Sequence, residues 1–108
     1  SEYTVLYFWS SHCGFCVQSK PDLELWQAKN QKVKVLAISV DQSEVELTVY
    51  LKENEVKWDV ICDYKGWKSD IILSYKIHKT PSFYVINERG IIMAKPANIA
   101  DLTELSFW

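Results

Sequence analysis

Tyr3 to Trp9 (YTVLYFW) is a continuous run of β-branched and aromatic residues. A strand with one wet face alternates apolar and polar side chains, whereas an unbroken run belongs to a strand buried on both faces. Such a strand must lie inside a sheet that is covered above and below, which commits the chain to a layered α/β arrangement. The polar triplet Ser10-Ser11-His12 ends the run, and Cys13 follows at once. With 108 residues there is room for one domain around that strand and little more.

The rest of the sequence supplies the cover. From Cys13 to about Lys29 the spacing turns helical, with Val17, Leu23, Leu25 and Trp26 set against Gln18, Lys20, Asp22 and Lys29. Pro21 falls inside this helix, where it deletes a backbone hydrogen bond and bends the axis. Val33 to Val40 reads as a second strand. Ser43 and Glu46 have capping-box spacing and open a helix that runs to about Asn54. Trp58 to Cys62 reads as a short strand, and Ser69 as the cap of a short helix through Tyr75. Ser82 to Asn87, the turn Glu88-Arg89-Gly90 and Ile91 to Lys95 read as a hairpin. Asn98 caps a last helix, with Asp101 at its third position. Strands that alternate with helices pair in parallel, and the hairpin adds an antiparallel pair. The expected fold class is therefore α/β, with a mixed parallel/antiparallel central sheet flanked by helices on both faces. Residues 1–108 contain no linker or repeat and read as a single domain. The first residue is Ser and not Met, so the sequence reads as a piece trimmed from a longer chain.

Charge and patterning exclude several classes. Lys and Arg total 12 against 14 Asp and Glu, a net charge of −2 with no basic block. No nucleic-acid partner is expected, because phosphate binding needs a concentrated positive face. No stretch approaches the roughly 18 apolar residues of a membrane span. The N-terminus lacks the basic region and cleavage site of a signal peptide. Trp26, Trp58 and Trp67 are assigned to core packing.

Three cysteines are too few for a disulfide scaffold. Cys13 and Cys16 form a C-x-x-C directly after the buried strand, at the start of a helix. The N-terminus of a helix presents unpaired N–H groups and the positive end of its dipole, both of which favour an anion. A thiolate at Cys13 is then better populated than at a free thiol with a pKa of about 8.5. Cys16 follows nearly one turn later, so the two sulfurs meet on one face. Gly14 keeps the approach to Cys13 open. The chemistry implied is thiol–disulfide exchange: Cys13 attacks, a mixed disulfide forms and Cys16 resolves it. The alternative for this spacing is half of a zinc site, but a second pair of ligands is missing. Cys62, His12 and His78 lack ligand spacing, and no metal is assigned. Cys62 reads as a core cysteine and His78 as a solvated loop residue.

These residues resemble the thioredoxin superfamily over Tyr3 to Lys95. The resemblance is carried by Phe8-Trp9, by Cys13-Gly14-Phe15-Cys16, by Pro21, and by Thr80-Pro81 ahead of SFYVIN. The segment from Trp58 to Tyr75 and the ending TPSFYVINERGII are most similar to the TlpA/ResA-type thiol–disulfide oxidoreductases. The resemblance implies a cis bond before Pro81, with that proline facing the active-site disulfide. It also implies that the Thr80 backbone pairs with a substrate segment beside Cys13. Trp9, His12, Gly14, Phe15, Thr80 and Pro81 are the expected substrate-binding residues, and Trp9 is expected to serve both core and rim. No cofactor is implied, because the dithiol itself carries two electrons. The expected partners are protein thiols or disulfides and an upstream redox partner, met by a monomer outside the cytoplasm, in a bacterial periplasm or envelope; a cytoplasmic location is the alternative.

The departures from that family set further expectations. Members commonly carry Trp at the position of His12, and thioredoxins carry Pro at that of Phe15. Thioredoxins also place a buried Asp where this chain has Tyr7, which leaves the group that deprotonates Cys16 unassigned. A titrating His12 and a free N–H at Phe15 both favour the Cys13 thiolate, hence a more oxidising disulfide. A peroxidase-like relative is disfavoured by the missing Thr-x-x-Cys. A copper-handling protein using Cys13, Cys16 and His78, or a redox-inactive binding module, are the alternatives from other classes.

Overall fold

The computed structural model describes residues 2–108. Strand β1 (Tyr3–Trp9) leads through Ser10–Cys13 into helix α1 (Gly14–Lys29). Then come β2 (Lys34–Ser39), α2 (Glu44–Glu53) and β3 (Asp59–Ile61). A 3-10 turn (Gly66–Lys68), α3 (Asp70–Ser74), the hairpin β4 (Ser82–Asn87) and β5 (Ile92–Ala94), and α4 (Ile99–Thr103) complete the chain. The sheet order is β3-β2-β1-β4-β5, so the unbroken apolar run occupies the central strand. β1 pairs in parallel with β2 and antiparallel with β4, with Val5 opposite both Val35 and Val85.

Period-two alternation divides the sheet into two cores. Val5, Tyr7, Trp9, Val35, Ala37, Phe83 and Val85 point to one face and pack against Cys16, Leu23 and Trp26 of α1, Leu47 of α2 and Leu102 of α4. Leu6, Phe8 and Ile38 point to the other face and meet Ile72 of α3 and Ile77. The mixed sheet, the element order and the cover on both faces agree with the sequence.

Several local readings are corrected. Leu25 is 63% exposed and Val17 also faces out, so α1 buries only Cys16, Leu23 and Trp26. Trp67 is 45% exposed and is not a core residue. Ser69 stands at the cap position of α3 without capping it; its hydroxyl instead donates to Asp63 Oδ2 at 2.7 Å. Cys62 is half-buried at the edge of the first core, its Sγ donating to the Asp41 carbonyl at 3.4 Å. Asn98 caps α4 as expected, its Oδ1 accepting from Asp101 N at 2.8 Å.

Candidate active site

The antiparallel pairing of β1 with β4 sets Phe8 opposite Ser82, so the end of one strand meets the beginning of the other. That register brings Cys13 against Thr80 although 67 residues separate them, with Cys13 Sγ 3.4 Å from the Thr80 carbonyl oxygen. The Thr80–Pro81 peptide bond is cis. Cys13 and Cys16 are joined as a disulfide, with Cα atoms 5.2 Å apart. Cys13 is the N-cap of α1, and its Sγ accepts a hydrogen bond from Cys16 N at 3.1 Å. The two sulfurs are not equivalent: Cys13 is half-buried, whereas Cys16 is 1% exposed.

The loop carrying Cys13 is tied to the end of β2 by Asp41, a buried residue that the sequence reading passed over. Its carboxylate accepts from Ser11 N at 3.1 Å, Ser11 Oγ at 2.6 Å and Ser10 Oγ at 3.4 Å, and also from the Ser39 hydroxyl. His12 turns its ring toward α2, where Nε2 meets Glu46 Oε2 at 2.8 Å. That contact, followed by the Glu46 charge, raises the His12 pKa above its ordinary 6.5. The ring nitrogen is thus committed to Glu46. Ser43 Oγ accepts from Glu46 N at 3.1 Å, so one half of the capping box forms while the Glu46 side chain serves the site.

Beneath the disulfide, the Tyr7 hydroxyl donates to the Cys16 carbonyl at 3.2 Å and lies 3.5 Å from Ser19 Oγ. Burial pushes the Tyr7 pKa up to about 12, and nearby Tyr50 adds to the rise. A small cavity of about 10 Å³ is lined by Cys16, Trp9, Lys20, Tyr50 and Trp58.

The expected site residues fall into two groups. Cys13, Thr80 and Pro81 converge, and Phe15 stands beside them at 74% exposure. Gly14 is exposed, and a Cβ there would meet nothing within 4 Å, so the approach is open but glycine is not demanded by sterics. Trp9 is in the core at 4% exposure, stacked on Tyr7 and tilted against Tyr50, and does not form a rim. His78 is a solvated loop residue. A concavity of about 740 Å³ lies at the far end of β1 between Tyr3, Val33, Phe107 and Trp108. The disulfide side offers a shallower groove instead, bounded by Ser10, His12, Gln42 and Trp67.

Known proteins are similar to this chain. Sporulation thiol-disulfide oxidoreductase A of Bacillus subtilis is 24% identical over 110 residues, covering 97% of this chain and 65% of the relative. Thiol-disulfide oxidoreductase ResA of Bacillus cereus is 29% identical over 92 residues, covering 83% of this chain and 51% of the relative. The chain therefore spans between about half and two thirds of these relatives' lengths. Among solved structures, a thiol-disulfide oxidoreductase from Bacteroides fragilis superimposes with a TM-score of 0.81 at 25% identity, covering 95% of this chain and 80% of that one. The AhpC/TSA family matches residues 1–95, from the first residue of the sequence to the end of the hairpin. With the central strand, the cysteine pair and the cis-proline loop all inside that match, the chain is a member of the AhpC/TSA family, with a thioredoxin-like fold.

Proposed function

We propose that this chain is a protein thiol–disulfide oxidoreductase that cycles Cys13 and Cys16 between dithiol and disulfide. The observation that carries the reading is the asymmetry of the pair. Cys13 caps a helix, takes a backbone N–H and lies near an open carbonyl, while Cys16 is sealed beneath it. A partner thiolate reaches only Cys13, and a partner polypeptide laid along Thr80 finds a backbone acceptor beside the reacting sulfur. Pro81, Gly14 and the exposed Phe15 form the surface it would meet. In the reducing direction the Cys13 thiolate attacks a partner disulfide, and Cys16 then displaces the partner as its thiol. The names of the relatives support the same reaction class. We assign the chain as one domain of a longer protein, acting as a monomer outside the cytoplasm on protein thiols or disulfides, with an upstream redox partner resetting it.

Brief alkylation of the reduced protein near neutral pH, read by peptide mass, should modify Cys13 well before Cys16. Insulin reduction should be abolished by Cys13→Ser. Preferential labelling of Cys16, or full activity without Cys13, would overturn the assignment.

A further inference from the structure

Resolution of the mixed disulfide requires Cys16 as a thiolate, yet Cys16 is 1% exposed. Burial among apolar groups raises a thiol's pKa, so a nearby group has to offset it. Tyr7 does not, since its hydroxyl is engaged with the Cys16 carbonyl and its own pKa is pushed up to about 12. The cavity under Cys16 is walled by Tyr7, Trp9, Tyr50 and Trp58, and its one charged lining residue among the described residues is Lys20.

Cys16, Lys20 and Glu24 follow one another at intervals of four and share one face of α1. Lys20 stands one turn from Cys16 and lines the same cavity, whereas Glu24 stands two turns away. Lys20 Nζ donates to Glu24 Oε1 at 3.0 Å, and the two side chains are only 19% and 24% exposed. Glu24 does not line that cavity but a surface depression with Gln27, Gln31 and Lys57. The ion pair therefore has its positive member on the side of Cys16. Trp9, which lines the same cavity, carries a buried indole Nε1–H that has no hydrogen-bond partner among the described residues.

We propose that Lys20, anchored by Glu24, is the cation that stabilises the Cys16 thiolate in the resolving step, in the absence of an acidic residue at the position of Tyr7. This rests on the disulfide-exchange reading. Cys16 gives its proton to water and its thiolate attacks Cys13 Sγ. The bond between Cys13 and the partner sulfur breaks as the Cys13–Cys16 bond forms. The electron pair leaves on the partner sulfur, which takes a proton from solvent, so the two cysteines are oxidised and the partner is reduced. Lys20 remains protonated throughout.

The test isolates Cys16 in a Cys13→Ser/Cys62→Ala background and follows its titration by alkylation rate against pH. Lys20→Met should move the titration upward by about one pH unit, about tenfold less thiolate at a given pH below it. The same change in an otherwise wild-type chain should slow release of a trapped mixed disulfide by a similar factor. Lys20→Arg should restore both, and Glu24→Gln, which keeps the cation, should not raise the titration. Lys20→Gln serves as a second variant if Lys20→Met does not fold, with thermal melts as the check. An unchanged titration in folded Lys20→Met or Lys20→Gln, or an equal rise in Glu24→Gln, overturns the proposal. Failure of the wild-type protein to reduce insulin would instead remove the functional reading, because the Cys16 titration is measured without turnover.

Discussion

Around Cys13, neighbouring side chains act on one sulfur through charge, and His12 shows how far such an effect reaches. Its ring is exposed and paired with Glu46, a contact that holds the imidazole in its charged form to higher pH. A histidine whose pKa is raised by folding contributes stability that is full below its unfolded value of about 6.5 and lost as pH climbs through the raised value. NMR titration of wild type should therefore give a His12 midpoint above 6.5, and Glu46→Gln should bring it back down; equal midpoints would break the assignment. Because the pair is nearly neutral overall, His12→Ala should shift the redox potential less than Phe15→Pro, which removes an N–H from the turn holding Cys13. The wild-type potential should still lie above the thioredoxin reference of about −270 mV, as read by glutathione titration. Cys62 is half-buried, bonded to the Asp41 carbonyl and outside the Cys13–Cys16 pair. Cys62→Ala should keep insulin reduction near wild type while lowering stability by about 1 kcal/mol for the lost packing and weak hydrogen bond.

Loops joining the elements hold the site through Asp41. One buried carboxylate gathers three serine hydroxyls and a backbone N–H, from the Ser10–Ser11 loop and the end of β2, so removing it strands several donors together. Asp41→Ala should lower stability by about 3 kcal/mol and leave the Ser10–His12 loop mobile, measured by urea unfolding and by amide exchange at Ser11. This residue left no mark in the sequence, because a polar contact spanning 30 positions has no periodicity. Glu46 was legible only in its local role: capping-box spacing accounts for its backbone, whereas its side chain crosses to His12. Leu25 and Trp67 misled for the opposite reason. Apolar character does not say which way a residue faces when the helix stripe is narrow or the segment is an irregular turn. The order and type of the elements, by contrast, were readable, since each rests on its own run, cap or turn residues.

At the scale of the molecule, two cores share one central strand, and the disulfide sits over the larger of them. Leu23 and Leu102 are fully buried there, on α1 and α4. Leu23→Ala should cost about 3 kcal/mol and broaden the protection difference between Cys13 and Cys16 least if α1 stays docked. Leu102→Ala should cost a similar amount while leaving Cys13 reactivity intact, since α4 carries none of the site residues. Differential scanning calorimetry with alkylation rates separates the two. The β1–β4 pairing carries a consequence for biosynthesis. Thr80 is added 67 residues after Cys13, which at about 5–20 residues per second is a lag on the order of several seconds. During that interval the nascent chain offers both thiols before the loop that faces them exists.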